Sequence, residues 1–426
     1  MFCEKFKSRN KAQENGFQRK RKLGFSEIIL FQLWTRGKTL SIELKRFLKE
    51  IKIKEVNYSK QAYSKARMKI KHRGYIELND ALLEEFYSEE DYKNYKGYRL
   101  LGIDGSKIEV QYSEEIKKEF GSIFNSKETI NASKSVVVYD LLNELVLDSQ
   151  LNMYNSSERK SAIEQFGRIK EEGKQKRDIV VADRGFPSIE LFNELMAEGY
   201  DFIIRYSGKE FIKESRALVG SNKDEMEIEI SLTEGKNRKE NPAIKQQLAK
   251  GYLRNIRLRI IKIKLSEKLT EYLITSLLSE FSIDDFKRIY NLRWNEELYF
   301  DFHKNVMEVE NFSGKTVESV KQDYYSRILV GNLHTLIVSQ AQEEIDQERK
   351  NNDKLKYAQY KINKNISFGL MKDSIKDLLT ANHWEKQYSA LIKEAKRHKI
   401  AVIKNRAFPR KKKGNLKYPI NKKRAF

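Results

Sequence analysis

The sequence predicts an α/β chain: a mixed β-sheet covered by helices, with helical regions before and after it. Three observations point there. Residues 25–90 and 316–400 carry apolar residues at helical spacing, residues 98–205 alternate short apolar runs with amphipathic stretches, and 206–270 hold alternating apolar and polar runs with no helical period.

Taken in order, residues 1–24 hold eight Lys or Arg against two Glu and are expected to form a mobile basic arm. Three helices follow: SEIILFQLW capped by Ser26, TLSIELKRFLKEI from Thr39, and SKQAYSKARMKI capped by Ser59, with Gly37 and Asn57 at the junctions. The third exposes Lys60, Gln61, Ser64, Lys65 and Arg67, residue types that reach phosphates and base edges. A small helical DNA-binding bundle and a plain bundle with a charged face both fit this pattern.

YRLLGIDGSKIEVQY reads as a strand, a DG turn and a second strand, and KSVVVYDLLNELVLDSQLNMY as two more around Leu142–Asn143. A helix opened by Ser156 or Ser157 comes next. RDIVVADRGFPSIELFNELMAEGYDFIIRYS then gives strand, turn, helix and strand, with the helix starting near Pro187. MEIEISL and NIRLRIIKIKL are strands of a β-rich insertion, separated by the exposed loop GKNRKENP. EYLITSLL is a buried strand, and FSIDDFKRIYNLRWNEELYFDFHKNVMEVENF one long helix. After Glu394 the tail carries thirteen Lys or Arg and no acid.

The expected organisation is therefore a basic arm (1–24), a helical DNA-binding domain (25–90), a sheet domain in two parts (91–205 and 271–315) around the β-rich insertion (206–270), a helical C-terminal region (316–400) and a basic tail (401–426). Lys and Arg number 83 against 61 Asp and Glu, a net charge of +22. That excess calls for a polyanionic partner, with nucleic acid favoured over a membrane surface, although lineage-wide lysine enrichment raises the charge in the same way. A hydrophobic share of 39% supports ordinary cores. Cys3 is the only cysteine, which excludes a disulfide framework and a cysteine zinc site, and the five His residues show no metal-ligand spacing. No signal peptide or membrane span is visible, so a soluble, cytoplasmic protein is expected.

Chemistry concentrates in YNLRWNEELYFDFHK, residues 290–304. At roughly 100° per residue, Tyr290, Arg293, Glu297 and Lys304 project within about 60° of one another, opposite an apolar stripe of Leu292, Leu298, Tyr299, Phe302 and Val306. Trp294 stands about 40° from this polar row. Two aspartates end strands: Asp104 in LLGID and Asp183 in DIVVAD, each followed by a turn. Two acids at strand ends and one on a helix packed beside the sheet can converge. Three carboxylates without Cys or His form a hard, all-oxygen site suited to Mg²⁺ or Mn²⁺. Two such ions about 3.5–4 Å apart would clamp the attacking and leaving oxygens of a phosphoryl displacement.

The row Y-x2-R-x3-E-x6-K resembles the signature of a large group of bacterial DDE transposases, the insertion-sequence-four family. IDGSK around Asp104 is similar to the family's first-aspartate motif, VADRGF around Asp183 to its second, ITSLL to its strand before the helix, and FSEIILFQLW…SIELKRF…AYSKARMKI to its N-terminal region. The resemblance covers residues 25 to about 340. It implies an RNase H-like fold with Asp104, Asp183 and Glu297 as the catalytic, metal-binding triad, holding two Mg²⁺ ions for which Mn²⁺ can substitute. It also implies that Tyr290, Arg293 and Lys304 grip phosphates. Trp294, beside that row, is expected either to line the DNA channel or to pack against the sheet, and Lys60, Lys65 and Arg67 are the DNA contacts expected of the N-terminal helices. Partners would be double-stranded DNA, as the element's terminal repeats and its target, and a second copy of the chain in a synaptic homodimer. Its place would be the bacterial nucleoid. One feature departs from hairpin-forming relatives, which use an aromatic from the β insertion: Trp34, Trp294 and Trp384 all lie outside it, leaving Phe211 or Tyr252. A nuclease of the same fold that cuts without joining, and a non-catalytic DNA-binding regulator, share most of these features.

Overall fold

A computed structural model describes residues 3–19, 22–53, 58–125, 128–207, 216, 218, 221–234, 240–266, 269–350, 357 and 359–403. In chain order, five helices come first: α1 (Glu4–Asn10), α2 (Phe25–Trp34), α3 (Leu40–Glu50), α4 (Lys60–Arg67) and α5 (Arg73–Ser88). Then come β1 (Arg99–Glu109), α6 (Glu114–Phe120), β2 (Ser122–Asn125), β3 (Glu128–Asp140), β4 (Leu145–Met153), α7 (Glu158–Glu171), β5 (Asp178–Ala182), α8 (Ile189–Ala197) and β6 (Asp201–Tyr206). Next are β7 (Glu225–Ser231), α9 (Pro242–Ala249), β8 (Asn255–Ser266), β9 (Leu269–Thr275), α10 (Ile283–Leu292) and α11 (Trp294–Asn305). The last are α12 (Val317–Lys350), β10 (Tyr360–Ile362), α13 (Lys364–Thr380), α14 (Trp384–Arg397) and β11 (Lys399–Ala401). No helix among the described residues is long and apolar enough to cross a membrane.

The chain forms two compact units, one of Met1–Leu83, Ile108–Ala132 and Asp301–Phe426, the other of Glu84–Lys107 and Ser133–Phe300. The first is helical. Its core centres on α2, where Ile28, Ile29, Leu30, Phe31, Leu33 and Trp34 are all buried, with Phe47, Tyr63, Ile337, Met371 and Leu391 in the same cluster. The N-terminal stretch is not a free arm over Glu4–Asn10. Phe6 of α1 is buried, with its ring centroid 5.8 Å from that of Phe25, so one apolar residue ties the basic segment down. The basic tail lies outside the described residues beyond 403.

The second unit is built on a mixed sheet with strand order β4-β3-β1-β5-β6-β9-β8-β7. β5 runs parallel to both β1 and β6, whereas β3–β4, β6–β9, β9–β8 and β8–β7 pair antiparallel, and α7 and α8 are the crossovers on either side of β5. All five residues of β5, DIVVA, are buried, as befits a parallel strand covered on both faces. β7 at the far edge alternates exposed and buried residues. Ser157 and Ser188 cap α7 and α8 by accepting backbone N–H groups of Lys160 and Leu191. Arg99 and Asp178 are register partners at the start of the β1–β5 pair and form a buried ion pair at 2.8 Å.

Three sequence expectations change here. IDGSK does not turn: β1 runs unbroken through Asp104 and Gly105 to Glu109. The segment 206–270 does carry a helix, α9, opened by Asn241 with Pro242 in its first turn, and its strands β7 and β8 extend the main sheet. The long helix is two, α10 and α11, which divide at Arg293.

Candidate active site

Five rungs of parallel pairing, from Arg99↔Asp178 to Ile103↔Ala182, lead to the next residue on each strand: Asp104 and Asp183. The buried Arg99–Asp178 pair at one end of this ladder thus sets the register that places the two aspartates side by side at the other. Neighbouring strands lie about 4.8 Å apart, so two carboxylates meet where the parallel pairing stops, at the carboxyl end of β5, where open sheets put their ligands. Each uses one oxygen locally. Gly105 N–H donates to Asp104 Oδ1 and Gly185 N–H to Asp183 Oδ1, both at 2.7 Å. A side chain at 105 would push Glu158 aside, since a Cβ there would come within 2.5 Å of Glu158 Oε1. Burial, augmented by repulsion from Asp183 and Glu158, pushes the Asp104 carboxyl up to about 6, against the Gly105 N–H and Arg293, which favour its charge.

Helix α10 delivers the polar row. Ser282 and Asp285 form a capping box, and Asp285 also accepts from Lys96 Nζ at 2.7 Å and Tyr95 Oη at 2.6 Å, which hold its carboxyl well below the usual range. Tyr290 is buried with the Arg293 guanidinium 5.8 Å from its ring centroid, so the phenol supports the arginine rather than facing solvent. Arg293 donates to Glu297 Oε1 at 2.7 Å. Trp294 is 45% exposed. Asn295 anchors the start of α11 by donating to Leu141 O at 3.0 Å. Lys304, half-buried in the last turn of α11, belongs to the other compact unit.

The break at Arg293 rotates the faces of α11. Its buried side holds Glu296, Tyr299, Phe300 and His303, while Leu298, expected in the apolar stripe, is 54% exposed. Sequence reasoning passed over Glu296. Burial foremost, with repulsion from Asp104 and then Asp183, pushes its carboxyl well above the usual range, against Arg293 and the Asp104 backbone amide. The available signal was position: Glu296 lies three, four and seven residues before Tyr299, Phe300 and His303, in line with the buried face. Glu158 was also missed. It reaches Gly105 from the first turn of α7 and pairs with Lys134 at 3.2 Å.

A family model described as the transposase DDE domain matches residues 95–333, more than half of the chain. The chain belongs to this family of DDE transposases. It is an enzyme acting on DNA. No curated protein matches significantly. Among solved structures, the chain is similar to piggyBac transposase in a cryo-EM synaptic complex with hairpin DNA, at 12% identity over 87% of this chain and 75% of that one, TM-score 0.40. It is also similar to Mos1 transposase in a paired-end complex with the left transposon end, at 13% identity over 47% and 64%, TM-score 0.19.

DDE transposases generally use divalent metal ions. The donor set fits: Asp104 and Asp183 each keep an oxygen not taken by a backbone N–H, and every nearby acid offers hard oxygen. As the side chains stand, no three His, Cys, Asp or Glu among the described residues converge closely enough to hold an ion, and Glu297 is turned to Arg293. Of the transposase's predicted N-terminal contacts, Lys60 and Lys65 are exposed on α4, and with Gln61 and Ser64 they line a groove of about 530 Å³. Thr39–Ser41 at the start of α3, Gln111 and Phe312–Lys315 complete the lining, which holds no acid. Arg67 is a correction. It is 3% exposed and bonds Asp323 at 3.1 Å, Gln322 Oε1 at 2.7 Å and Ser319 O at 2.9 Å, because a buried carboxylate 256 residues away takes its charge inward. Tyr252, one alternative for the missing insertion aromatic, donates its hydroxyl to Glu194 at 2.9 Å, and Phe211 lies outside the described residues.

Proposed function

We propose that this transposase, of the insertion-sequence-four type with an RNase H-like core, cuts DNA at the terminal repeats of its element and transfers the freed 3′-hydroxyl ends to target DNA. The observation that carries this reading is the alignment of Asp104 and Asp183 just past the end of the parallel β1–β5 ladder, beside the helix pair bearing Arg293 and Glu297. The order β4-β3-β1-β5-β6, with β1, β5 and β6 parallel and β3–β4 antiparallel, supports an RNase H-like sheet.

In this reading Asp104, Asp183 and Glu297 hold divalent ions, which when bound supply the charge that activates water and stabilises the leaving oxygen. Arg293, held by Tyr290 beneath it, leaves Glu297 to take a phosphate of the bound strand. A guanidinium suits that task through its paired donors. Trp294, exposed beside it, offers a face for an unpaired base. The groove along α4 takes duplex backbone through Lys60, Lys65 and Lys315. Two copies of the chain join to synapse two DNA ends.

The test is a full-length preparation with a labelled duplex bearing the element's end and a target plasmid in Mg²⁺. A cut at the end's boundary followed by a joined product supports transposition. Cutting with no joined product at any target supports a nuclease instead.

A further inference from the structure

Glu296 and Glu297 follow one another at the start of α11 and meet different surroundings. Glu297 is half-exposed and bound to Arg293 at 2.7 Å. Glu296 is 0% exposed, and among the described residues its carboxylate oxygens have no side-chain hydrogen-bond partner: the Asp104 backbone N–H lies close enough to favour their charge without completing a hydrogen bond. Its carboxyl lies against β1 at Gly102, where an added Cβ would come within 2.7 Å of Oε2 and 2.8 Å of Leu141 Cδ2. The missing side chain at 102 is the room this carboxyl occupies.

Residues two apart on a strand project from the same face, about 7 Å from each other. Gly102 and Asp104 are two apart on β1. Glu296 therefore reaches the sheet face from which Asp104 projects, and Asp104 and Asp183 are its acidic electrostatic neighbours. Arg293, the nearby cation, is engaged with Glu297. Packing alone gives no reason for an acid here, since a Met or Ile would fill the space without burying an unpaired polar group. A hard cation in reach of Asp104 and Asp183 supplies the missing partner.

We propose that Glu296 is a fourth carboxylate of the divalent-ion site, an oxygen donor facing the ion from the α11 side. This rests on Asp104 and Asp183 being metal carboxylates.

The test is Mn²⁺ binding to the full chain, followed by the electron-spin signal of free Mn²⁺, with melting temperature measured with and without Mn²⁺. Glu296→Gln keeps the shape and removes the charge. It is expected to weaken Mn²⁺ binding roughly tenfold or more, to shrink the metal-induced rise in melting temperature, and to raise the metal-free melting temperature. Gly102→Ala, which displaces the carboxyl without removing it, is expected to weaken binding as well. Glu296→Met serves if the Gln variant does not fold. Wild-type Mn²⁺ affinity in the Glu296 variants, with affinity lost in Asp183→Asn, overturns the proposal and leaves the aspartate site standing. Wild-type affinity in Asp183→Asn overturns the reading beneath it.

Discussion

Replacing Asp104 by Asn should stabilise the metal-free protein at neutral pH. Burial and the neighbouring acids raise the Asp104 carboxyl from an ordinary 3.8 to about 6 in the folded state. The native chain therefore holds a proton that the unfolded chain has released between those values, and stability falls as pH rises through that window. About two pKa units correspond to at most about 3 kcal/mol, and partial solvent access reduces this to about 2. For a unit of this size that is on the order of 4–8 °C in melting temperature. The assay is thermal unfolding of wild type and Asp104→Asn in chelator at pH 4 and pH 8. The gap should be near zero at pH 4 and fully present at pH 8. Adding Mn²⁺ should raise the wild type more than the variant. A variant no more stable than wild type at pH 8, or an equal gap at both pH values, refutes the electrostatic account of the site.

Other consequences follow from single contacts. Asp178→Asn leaves Arg99 buried without its counter-charge, so urea unfolding should show a loss of about 3–5 kcal/mol, with cleavage falling as the β1–β5 register loosens. Arg67→Ala leaves the buried Asp323 carboxylate to the neutral donors of Gln32 and Ser313 and should cost about 3 kcal/mol, and Arg67→Lys should recover little because a lysine cannot match the several donors. Lys60→Gln with Lys65→Gln should leave stability unchanged while flattening the dependence of DNA affinity on salt by about two units of slope, read by binding titrations across salt concentrations.

Much of the site was legible because its residues sit where local rules are strong. Asp183 closes an apolar run that can only be a covered strand, and Asp104 follows the fully buried first half of β1. What misled was local chemistry overruled at a distance. Asp-Gly is a strong hairpin signal, yet β1 continues through it, with Gly105 in the strand beneath Glu158. Nothing in LRWNE marks a break, as it has neither Gly nor Pro, so the division at Arg293 and the turning of Glu296 inward followed only from packing. Arg67 looked exposed because its partners Ser319, Gln322 and Asp323 are some 250 residues further along. The N-terminal segment looked mobile because charge masks the one residue, Phe6, that anchors it.

The most direct measurement is cleavage of a labelled duplex carrying the element's end, with Mg²⁺ or with chelator, by wild type, Asp104→Asn, Asp183→Asn and Glu297→Gln. The account predicts a cut at the end's boundary that requires the metal and is lost in all three variants while DNA binding persists. Cleavage that survives in Asp104→Asn or Asp183→Asn would contradict the assignment of the paired aspartates as the site of chemistry.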